Sequence, residues 1–342
     1  MPDRRIPATL TRAIVVSSYV VCGANTIASE EVDAAFGMPI GKLRNRAGIV
    51  SLAYAAPGET EATLGARAAE GALRSAGLEP SGLDWLLAAT ETHHAFPSLA
   101  AQIHRAIGAR ENCGAMDIGG ACLGFVNALA VAKALVESAQ AGAVLVATAD
   151  VHSRTLRPGR TAGEFGGLFG DGASAFVVCS EMPGAARGNF RPRDFFFGCA
   201  SQYQQAIQVS ADPNDELKVV FDGDALSRAA TARLEECIME LEQRSGVQRG
   251  EVAAFATHQP NPRLVRLLAK RAGLPAEKFP LVADTRGNLG STTCAAALHY
   301  ALERSRSEKA SLPQPIFLAS LGPGLLFGGG WLEPVIPRGD PS

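Results

Sequence analysis

The sequence is short of three things: paired cysteines, long apolar runs and net charge. Its seven cysteines are scattered and include no Cys-x-x-Cys pair, which argues against a disulfide framework or a zinc site and favours a reducing cytoplasm. No segment approaches the roughly 18 consecutive apolar residues that a spanning helix needs, so we expect no membrane segment. Lys and Arg number 32 against 34 Asp and Glu, and the net charge of −2 argues against a nucleic-acid partner, which would favour a basic excess.

Two further features have simple structural interpretations. Arg4-Arg5 followed by an apolar run resembles a signal peptide, but the β-branched residues of segment 13–22 favour a strand. His93 and His94 are adjacent, and adjacent side chains point apart in a strand or turn. Because no third ligand has suitable spacing, we expect no metal site.

The chain contains the same pattern twice. Residues 82–92 and 250–258 each hold a short apolar run that ends in Ala-Thr, as expected for a buried parallel strand with a polar residue at its carboxyl end. A single offset of 167 residues aligns three pairs of identical residues, which are Thr90 with Thr257, Asp117 with Asp284, and Gly120 with Gly287.

Helical stretches, Gly-rich turns and a second apolar strand recur in the same order in both copies. We therefore predict an α/β protein of two duplicated halves, residues 1–185 and 186–342, with parallel sheets covered by helices. Ligands of such sheets bind beyond the carboxyl ends of the strands, where the repeat places its polar residues.

Cys122 lies in the turn G-G-A-C-L-G-F, at the opening of an Ala-rich helix. A thiol at a helix N-terminus gains from the positive end of the dipole and from free backbone N–H groups, which favour the thiolate. Small neighbours let a substrate carbonyl approach closely. We predict that Cys122 is a nucleophile, whereas the other six cysteines are expected to be ordinary buried residues.

His258 and Asn288 occupy the matching region of the second copy. His258 follows the strand A-A-F-A-T, directly before a Pro-punctuated turn, and Asn288 lies in the second copy's Gly-rich turn. Each residue alone has an ordinary explanation, as a structural histidine or a turn former. The duplication brings the two Gly-rich turns to one cleft, so we predict that Cys122, His258 and Asn288 converge there.

Such a trio suits chemistry on acyl thioesters. A cysteine accepts an acyl group by attack on a thioester. A His Nε2–H and an amide NH₂ are neutral donors that stabilise an enolate when both are aimed at one oxygen. Loss of CO₂ from a malonyl thioester needs that stabilisation, and the carbanion then attacks the acyl-Cys. The residues therefore predict an acyltransferase that forms a carbon–carbon bond by decarboxylative Claisen condensation.

Motifs along nearly the whole chain carry a family resemblance. They are R-A-G-I (46–49), H-A-F-P-S (94–98), the Cys122 turn, F-G-D-G-A-S-A (169–175), H-Q-P-N-P-R (258–263), G-N-L-G-S (287–291) and G-P-G-L-L-F-G (322–328). Together they resemble the thiolase superfamily, and within it β-ketoacyl-acyl-carrier-protein synthase III, a ketosynthase of fatty-acid or polyketide biosynthesis. The resemblance implies a thiolase-like five-layered α-β-α-β-α fold, a homodimer and no cofactor, since the acyl groups arrive on the phosphopantetheine of acyl carrier protein or on coenzyme A.

The resemblance also assigns substrate-binding residues. It implies that Phe96 reaches into the acyl pocket of the neighbouring subunit, and that Arg46 and Arg263 meet the phosphopantetheine or coenzyme A end of the donor. Gly322 and Gly324 match a glycine run that contacts the substrate. Further basic residues, Arg191, Arg193 and Arg266, are candidates for carrier docking.

Three positions depart from the family pattern. Lys42 stands where a Trp commonly stacks on adenine, and Glu164 lies where a basic residue is expected. Both changes favour a carrier-bound donor over coenzyme A. Pro323 interrupts the glycine run and has no N–H to donate, so an oxyanion hole built from that amide must be rearranged. These changes indicate a specialised relative, as in natural-product biosynthesis.

Three other functions compete with condensation. An acyltransferase on the same fold would move the acyl group from Cys122 to a hydroxyl or amine, and would have little use for Asn288. The order Cys, His, Asn also occurs in papain-like proteases, but the expected C-G-S-C-W context is missing. A non-catalytic partner subunit would lack the Cys.

Overall fold

The computed structural model describes residues 11–181, 188–211, 217–307 and 313–336. The strands of these ranges are β1 (Ala13–Cys22), β2 (Asn25–Ala28), β3 (Ser51–Tyr54), β4 (Trp85–Ala89), β5 (Gly114–Asp117), β6 (Ala143–Val151), β7 (Asp171–Ser180), β8 (Phe190–Cys199), β9 (Ile207–Ala211), β10 (Leu217–Phe221), β11 (Ala254–Thr257), β12 (Ile316–Gly322) and β13 (Leu326–Pro334). The helices are α1 (Ser29–Ala35), α2 (Glu61–Ala76), α3 (Leu99–Ala106), α4 (Gly124–Glu137), α5 (His152–Thr155), α6 (Gly163–Gly166), α7 (Gly223–Ser245), α8 (Pro262–Arg271), α9 (Ala283–Arg286) and α10 (Ser291–Ser307).

The strand order repeats between the two parts of the chain. Along the sheet, β4-β6-β7-β1 in the first part corresponds to β11-β12-β13-β8 in the second, and β5 adds a further strand beside β4. One antiparallel pair, Val15 with Phe190, joins β1 to β8. The segment 13–22, ambiguous in sequence, is strand β1 with Ile14 and Val15 buried. The predicted boundary between residues 185 and 186 lies outside the described residues and stays a prediction.

The prediction of parallel sheets is wrong for about half of the strands. β4, β5 and β6 are parallel to one another, as are β11 and β12, but β7, β1, β8 and β13 run antiparallel to their neighbours. In the second part, the connection that precedes the last strand explains this direction. A short turn, Pro323–Leu325, joins β12 to β13, and such a turn reverses the chain because a parallel return needs a long crossover.

The helices lie in three layers around the two parts of the sheet. The inner layer is α4 and α10, which contact strands of both parts and share one apolar cluster with them. α2 and α3 cover the outer face of the first part, and α7 and α8 cover that of the second. A helix between two sheets must be apolar on most of its surface, which explains the Ala-rich sequences of α4 and α10. The five-layered α-β-α-β-α architecture is confirmed.

The repeat is less regular at Asp117 and Asp284. Asp117 ends β5 and accepts hydrogen bonds from the backbone N–H groups of Leu99 (3.0 Å) and Ala100 (2.7 Å), so it caps α3. Asp284 instead lies in the short helix α9. The two aspartates that the offset aligns therefore have different surroundings, and no second copy of β5 is present among the described residues. No helix in the described ranges combines the length and apolarity that crossing a bilayer requires.

Candidate active site

Cys122 lies on a tight turn directly before α4. The turn, Ala121–Leu123, requires unusual backbone angles, with φ +126° at Gly120 and +49° at Ala121. Ser320 Oγ donates to the carbonyl oxygen of Cys122 at 2.7 Å. A Cβ at Gly322 would lie 2.5 Å from the Gly120 carbonyl oxygen, so only glycine lets β12 approach the turn this closely. The second part of the chain therefore holds the Cys122 turn in place.

The expectation that Cys122 rests as a thiolate is wrong. Burial raises the pKa of the thiol well above its usual range, and the negative charges of Glu91 and Asp150 raise it further. These terms outweigh the backbone hydrogen bond that lowers the pKa, and the helix itself begins two residues later, at Gly124. The resting nucleophile is a protonated thiol that must lose its proton during the reaction.

His258 follows β11 and is buried in neutral form. Burial lowers the pKa of its imidazole to about 4, and the neighbouring Glu91 charge only partly opposes this effect. Its Nδ1 is buried and has no hydrogen-bond partner in the described part of the chain. No acceptor therefore holds a proton on Nδ1, and we assign the neutral tautomer that carries the proton on Nε2.

Asn288 presents its NH₂ group because its carbonyl oxygen is already occupied. The Oδ1 atom accepts from the Gly290 N–H and from the Thr293 hydroxyl, each at 3.0 Å. On the other side, backbone hydrogen bonds tie Asn288 to Leu168 (2.8 Å) and Gly170 (3.0 Å). The amide is thus fixed with its two N–H donors left for a ligand.

The three predicted residues meet in one cavity of about 710 Å³, which they line together with apolar side chains. That size is typical of small-molecule sites. The apolar lining includes Phe165, Phe169, Leu321 and Leu325. Ile207, at the start of β9, and Gly223, at the start of α7, also line it.

The mouth of the cavity carries positive charge. Arg46 and Arg263 line it, and Arg263 donates to the backbone carbonyl of Arg46 at 3.4 Å. Two of the three departures from the family pattern meet here, because Lys42 forms an ion pair with Glu164 and both line the cavity. Where the resemblance implied an aromatic ring that stacks on adenine, this chain has two opposite charges in contact.

Several predicted contacts take a different form. Arg191 is bound by Glu181 and Glu333, and Arg193 pairs with Glu333, while their role in carrier docking stays a prediction. Gly322 lines the cavity with Pro323, but Gly324 does not, and its role is the turn, where φ is +82°. Phe96 lies outside the cavity and is 97% exposed in the single chain.

The Asp of the F-G-D-G motif holds backbone segments near the site. Asp171 is fully buried and accepts hydrogen bonds from the N–H groups of Ala55 (2.7 Å) and Ser153 (2.9 Å). Among the described residues no group of three or more acidic, His or Cys side chains is arranged to hold a metal ion.

The sequence pattern did not reveal a buried ionic group near the nucleophile, formed by Glu91, Asp150 and His152. His152 Nε2 lies 3.4 Å from Glu91 Oε2, and Asp150 accepts from the Glu91 N–H at 2.5 Å. The offset of 167 residues could have found Glu91, because it aligns position 91 with His258. Both residues directly follow the Thr of their apolar run.

Comparison with known proteins agrees with this geometry. The family model 3-oxoacyl-[acyl-carrier-protein (ACP)] synthase III matches residues 116–191, and the C-terminal model of the same family matches residues 242–333. A β-ketoacyl-[acyl-carrier-protein] synthase III of Serratia proteamaculans is 32% identical over 286 residues, which cover 83% of this chain and 87% of that protein.

Solved structures have the same fold. The 3-oxoacyl-[acyl-carrier-protein] synthase III of Aquifex aeolicus has a TM-score of 0.82 and 26% identity, covering 94% of this chain and 99% of its own. The priming β-ketosynthase of the R1128 polyketide biosynthetic pathway has a TM-score of 0.83 and 27% identity, covering 98% and 100%. The described fold is therefore that of the thiolase superfamily, and the chain belongs to the β-ketoacyl-acyl-carrier-protein synthase III family.

Proposed function

We propose that the chain catalyses the decarboxylative Claisen condensation of an acyl primer, carried on Cys122, with a malonyl-type extender on acyl carrier protein. The observation that supports this most directly is the pairing of a neutral His258 with an oriented Asn288 amide in the cavity of Cys122. A transferase that moves the acyl group to a hydroxyl or amine has little use for an enolate-stabilising amide such as that of Asn288.

Acyl loading is the first step of this proposal. Cys122 Sγ attacks the donor thioester, and the acyl chain occupies the apolar part of the cavity. The thiol starts protonated, so loading requires a group that accepts its proton. The pantetheine thiol leaves as the acyl group moves to Cys122. The reaction requires no cofactor beyond the phosphopantetheine that carries its substrates.

Decarboxylation is the second step. The extender's thioester oxygen lies between His258 Nε2–H and Asn288 Nδ2–H₂, which stabilise the enolate formed as CO₂ leaves. A neutral imidazole suits this role because its pKa of about 4 keeps the ring uncharged near neutral pH, with a single proton on Nε2. The carbanion then attacks the thioester on Cys122 and releases a 3-oxoacyl product.

The donor reaches the site through the basic mouth. Arg46 and Arg263 would meet the phosphate of phosphopantetheine, and Arg266, which lies close to Gly48 behind them, adds to the positive charge. The Lys42–Glu164 ion pair supports a carrier-bound donor over coenzyme A because it leaves no aromatic platform for adenine.

Assembly and location are further parts of the proposal. A homodimer would cover Phe96, a large apolar side chain that is almost fully exposed in the single chain, and would place it at the partner's acyl pocket. A reducing cytoplasm suits the seven cysteines, all of which are free thiols.

Intact-protein mass spectrometry tests the function. The protein is incubated with acyl-coenzyme A and acyl-carrier donors, and malonyl-carrier is then added. We expect a mass gain on Cys122 that disappears with release of a 3-oxoacyl product; Cys122→Ala should not load, and Cys199→Ala, which alters an exposed thiol, should load normally. An adduct that persists with malonyl-carrier but clears with an alcohol or amine acceptor would identify an acyltransferase instead.

A further inference from the structure

Behind Cys122 lies a buried ion pair that the condensation chemistry leaves without a role. His152 is 3% exposed, and its two ring nitrogens both face acceptors: Nδ1 lies 3.3 Å from the Gly170 carbonyl oxygen and Nε2 lies 3.4 Å from Glu91 Oε2. A ring with two facing acceptors is satisfied only when both nitrogens carry protons. His152 is therefore an imidazolium. Burial alone would lower its pKa, but the carboxylates of Glu91 and Asp150 outweigh burial and raise the pKa to about 9.

Glu91 is held rigidly by its surroundings. Its backbone N–H donates to Asp150 Oδ1, and Thr90 donates to the same oxygen at 3.2 Å. Burial alone would raise the pKa of the Glu91 carboxyl, but the hydrogen bond and charge of His152 lower it, so the carboxylate is ionised. One carboxylate oxygen, Oε2, faces His152.

The other carboxylate oxygen of Glu91 has no conventional partner. Oε1 is buried and accepts no hydrogen bond from nitrogen or oxygen in the described residues. The turn of Cys122 packs against the end of β4, since a Cβ at Gly124 would lie 2.8 Å from the Cβ of Ala89. The Glu91 carboxylate also raises the pKa of the Cys122 thiol. A buried carboxylate oxygen without a donor is costly, so one at the strand end that packs against this turn calls for a functional reason.

The number of buried charges that each transfer creates distinguishes Glu91 from His258 as the proton acceptor. A proton that moves from Cys122 to His258 creates a new pair of buried charges, and burial already opposes a positive charge on that ring. A proton that moves from Cys122 to Glu91 only relocates one negative charge inside the same pocket. Transfer to Glu91 also leaves His258 free to remain a neutral donor.

We propose that Glu91 is a further catalytic residue, the general base for the Cys122 thiol during acyl loading, and that His152 is the positioning residue that orients it. As the bond from Cys122 Sγ to the thioester carbon forms, the thiol proton moves to Glu91 Oε1. As the bond from that carbon to the pantetheine sulfur breaks, Glu91 returns the proton to the departing thiolate. This assignment rests on the proposed acyl loading of Cys122 but not on the later condensation.

The duplication gives the arrangement a simple origin. Glu91 and His258 occupy the same place in the two copies, one residue beyond the Thr that ends each apolar run. Each half of the chain therefore contributes one polar side chain from a strand end, an acceptor from the first half and a donor from the second.

Two rates measured on Glu91→Gln test the proposal. The first is alkylation of Cys122 by iodoacetamide. Iodide needs no proton in order to leave, so this rate depends on the fraction of Cys122 present as thiolate. The second is single-turnover acylation of Cys122 by acyl-coenzyme A or acyl-carrier, followed by intact mass. We expect Glu91→Gln to alkylate faster than wild type, because a neighbouring negative charge is gone, and to acylate roughly 10²-fold or more slowly, because the base is gone.

Other outcomes overturn the assignment. If alkylation and acylation both become faster in Glu91→Gln, Glu91 acts only through its charge. If both become slower, its role is only structural. Glu61→Gln is the matched control, since Glu61 accepts a hydrogen bond from Thr92 nearby, and both of its rates should equal those of wild type.

A second variant covers the case in which Glu91→Gln does not fold. Glu91→Asp keeps the charge but withdraws the carboxylate from Cys122, so acylation should slow while alkylation changes little; unchanged acylation would contradict the base role. A wild-type protein that loads Cys122 normally yet releases no 3-oxoacyl product would defeat the proposed condensation and leave the Glu91 test intact.

Discussion

Asp150, near the carboxyl end of β6, accepts two hydrogen bonds from Ser291, the first residue of α10: one from the backbone N–H at 2.9 Å and one from the hydroxyl at 2.6 Å. Asp150 also accepts a hydrogen bond from the backbone N–H of Glu91, in the first half of the chain. One buried carboxylate thus links the strand end that carries Glu91 to the helix that follows Asn288. Burial, with the Glu91 charge, raises the pKa of Asp150 to about 6.

Ser291→Ala should weaken this link. The variant loses the hydroxyl hydrogen bond to Asp150 but keeps the backbone one, and hydrogen bonds to charged groups contribute about 1.5–3 kcal/mol. We expect the free energy of unfolding, measured by urea denaturation, to fall by about that amount. Ser307→Ala, at the other end of α10, removes an exposed hydroxyl and should change it by less than about 0.5 kcal/mol. Equal effects of the two variants would mean that the Asp150 contact is unimportant.

Asn288→Ala should separate the two half-reactions. It removes the amide donor while leaving Cys122 and Glu91 in place, so acyl loading should continue. Decarboxylation of malonyl-carrier should slow by about 10²–10³-fold, as for loss of one oxyanion-hole donor. Loading is followed by intact mass and decarboxylation by release of CO₂. Asn45→Ala, an exposed residue, is the control, and equal loss of both steps in Asn288→Ala would contradict the division of roles.

Gly322→Ala should displace the nucleophile without touching it. The added Cβ would lie 2.5 Å from the Gly120 carbonyl oxygen, so the turn of Cys122 must move. A displacement of about 1 Å can cost roughly 10²-fold in rate, and we expect a loss of that order in single-turnover loading. Gly250→Ala provides the control because its Cβ would meet no atom within 4 Å. Normal loading by Gly322→Ala would show that the turn tolerates the shift.

His152 should make stability depend on pH above neutrality. Its folded-state pKa of about 9 exceeds the ordinary value of 6.5, so its contribution to the free energy of unfolding is fully present below pH 6.5 and is lost as the pH rises through 9. The difference in unfolding free energy between wild type and His152→Gln should therefore shrink across that window. Urea denaturation at a series of pH values measures it. A constant difference would mean that His152 is neutral in the folded protein.

Arg263→Ala should weaken binding of the carrier-bound donor and leave the reactivity of the Cys122 thiol unchanged. Arg263 lines the basic mouth, and its loss should raise the KM for malonyl-carrier by roughly tenfold, with the effect reduced at high salt. Alkylation of Cys122 by iodoacetamide should stay at the wild-type rate. Arg271→Ala, on the same helix but paired with Glu235, is the matched control. A KM that does not change would place the carrier elsewhere on the surface.

Local pattern was enough to predict most of the fold. The apolar runs, the Ala-rich helices and the Gly-rich turns each depend on residues close in the chain, and their repetition indicated two similar parts. The same locality gave Cys122, His258 and Asn288, because each follows a strand or opens a helix at a recognisable turn. The direction of β7 and β13 was missed, since apolar runs look alike in parallel and antiparallel strands.

Tertiary structure alone decided the electrostatics of the site. Glu91 and His152 are 61 residues apart in the chain, and only folding buries them together beside Cys122. That burial turns an expected thiolate into a protonated thiol, and the fold likewise engages Arg191 with Glu181 and Glu333. The sequence determined which side chains were available, whereas their charge states depend on desolvation and on partners brought from distant segments, which no local pattern encodes.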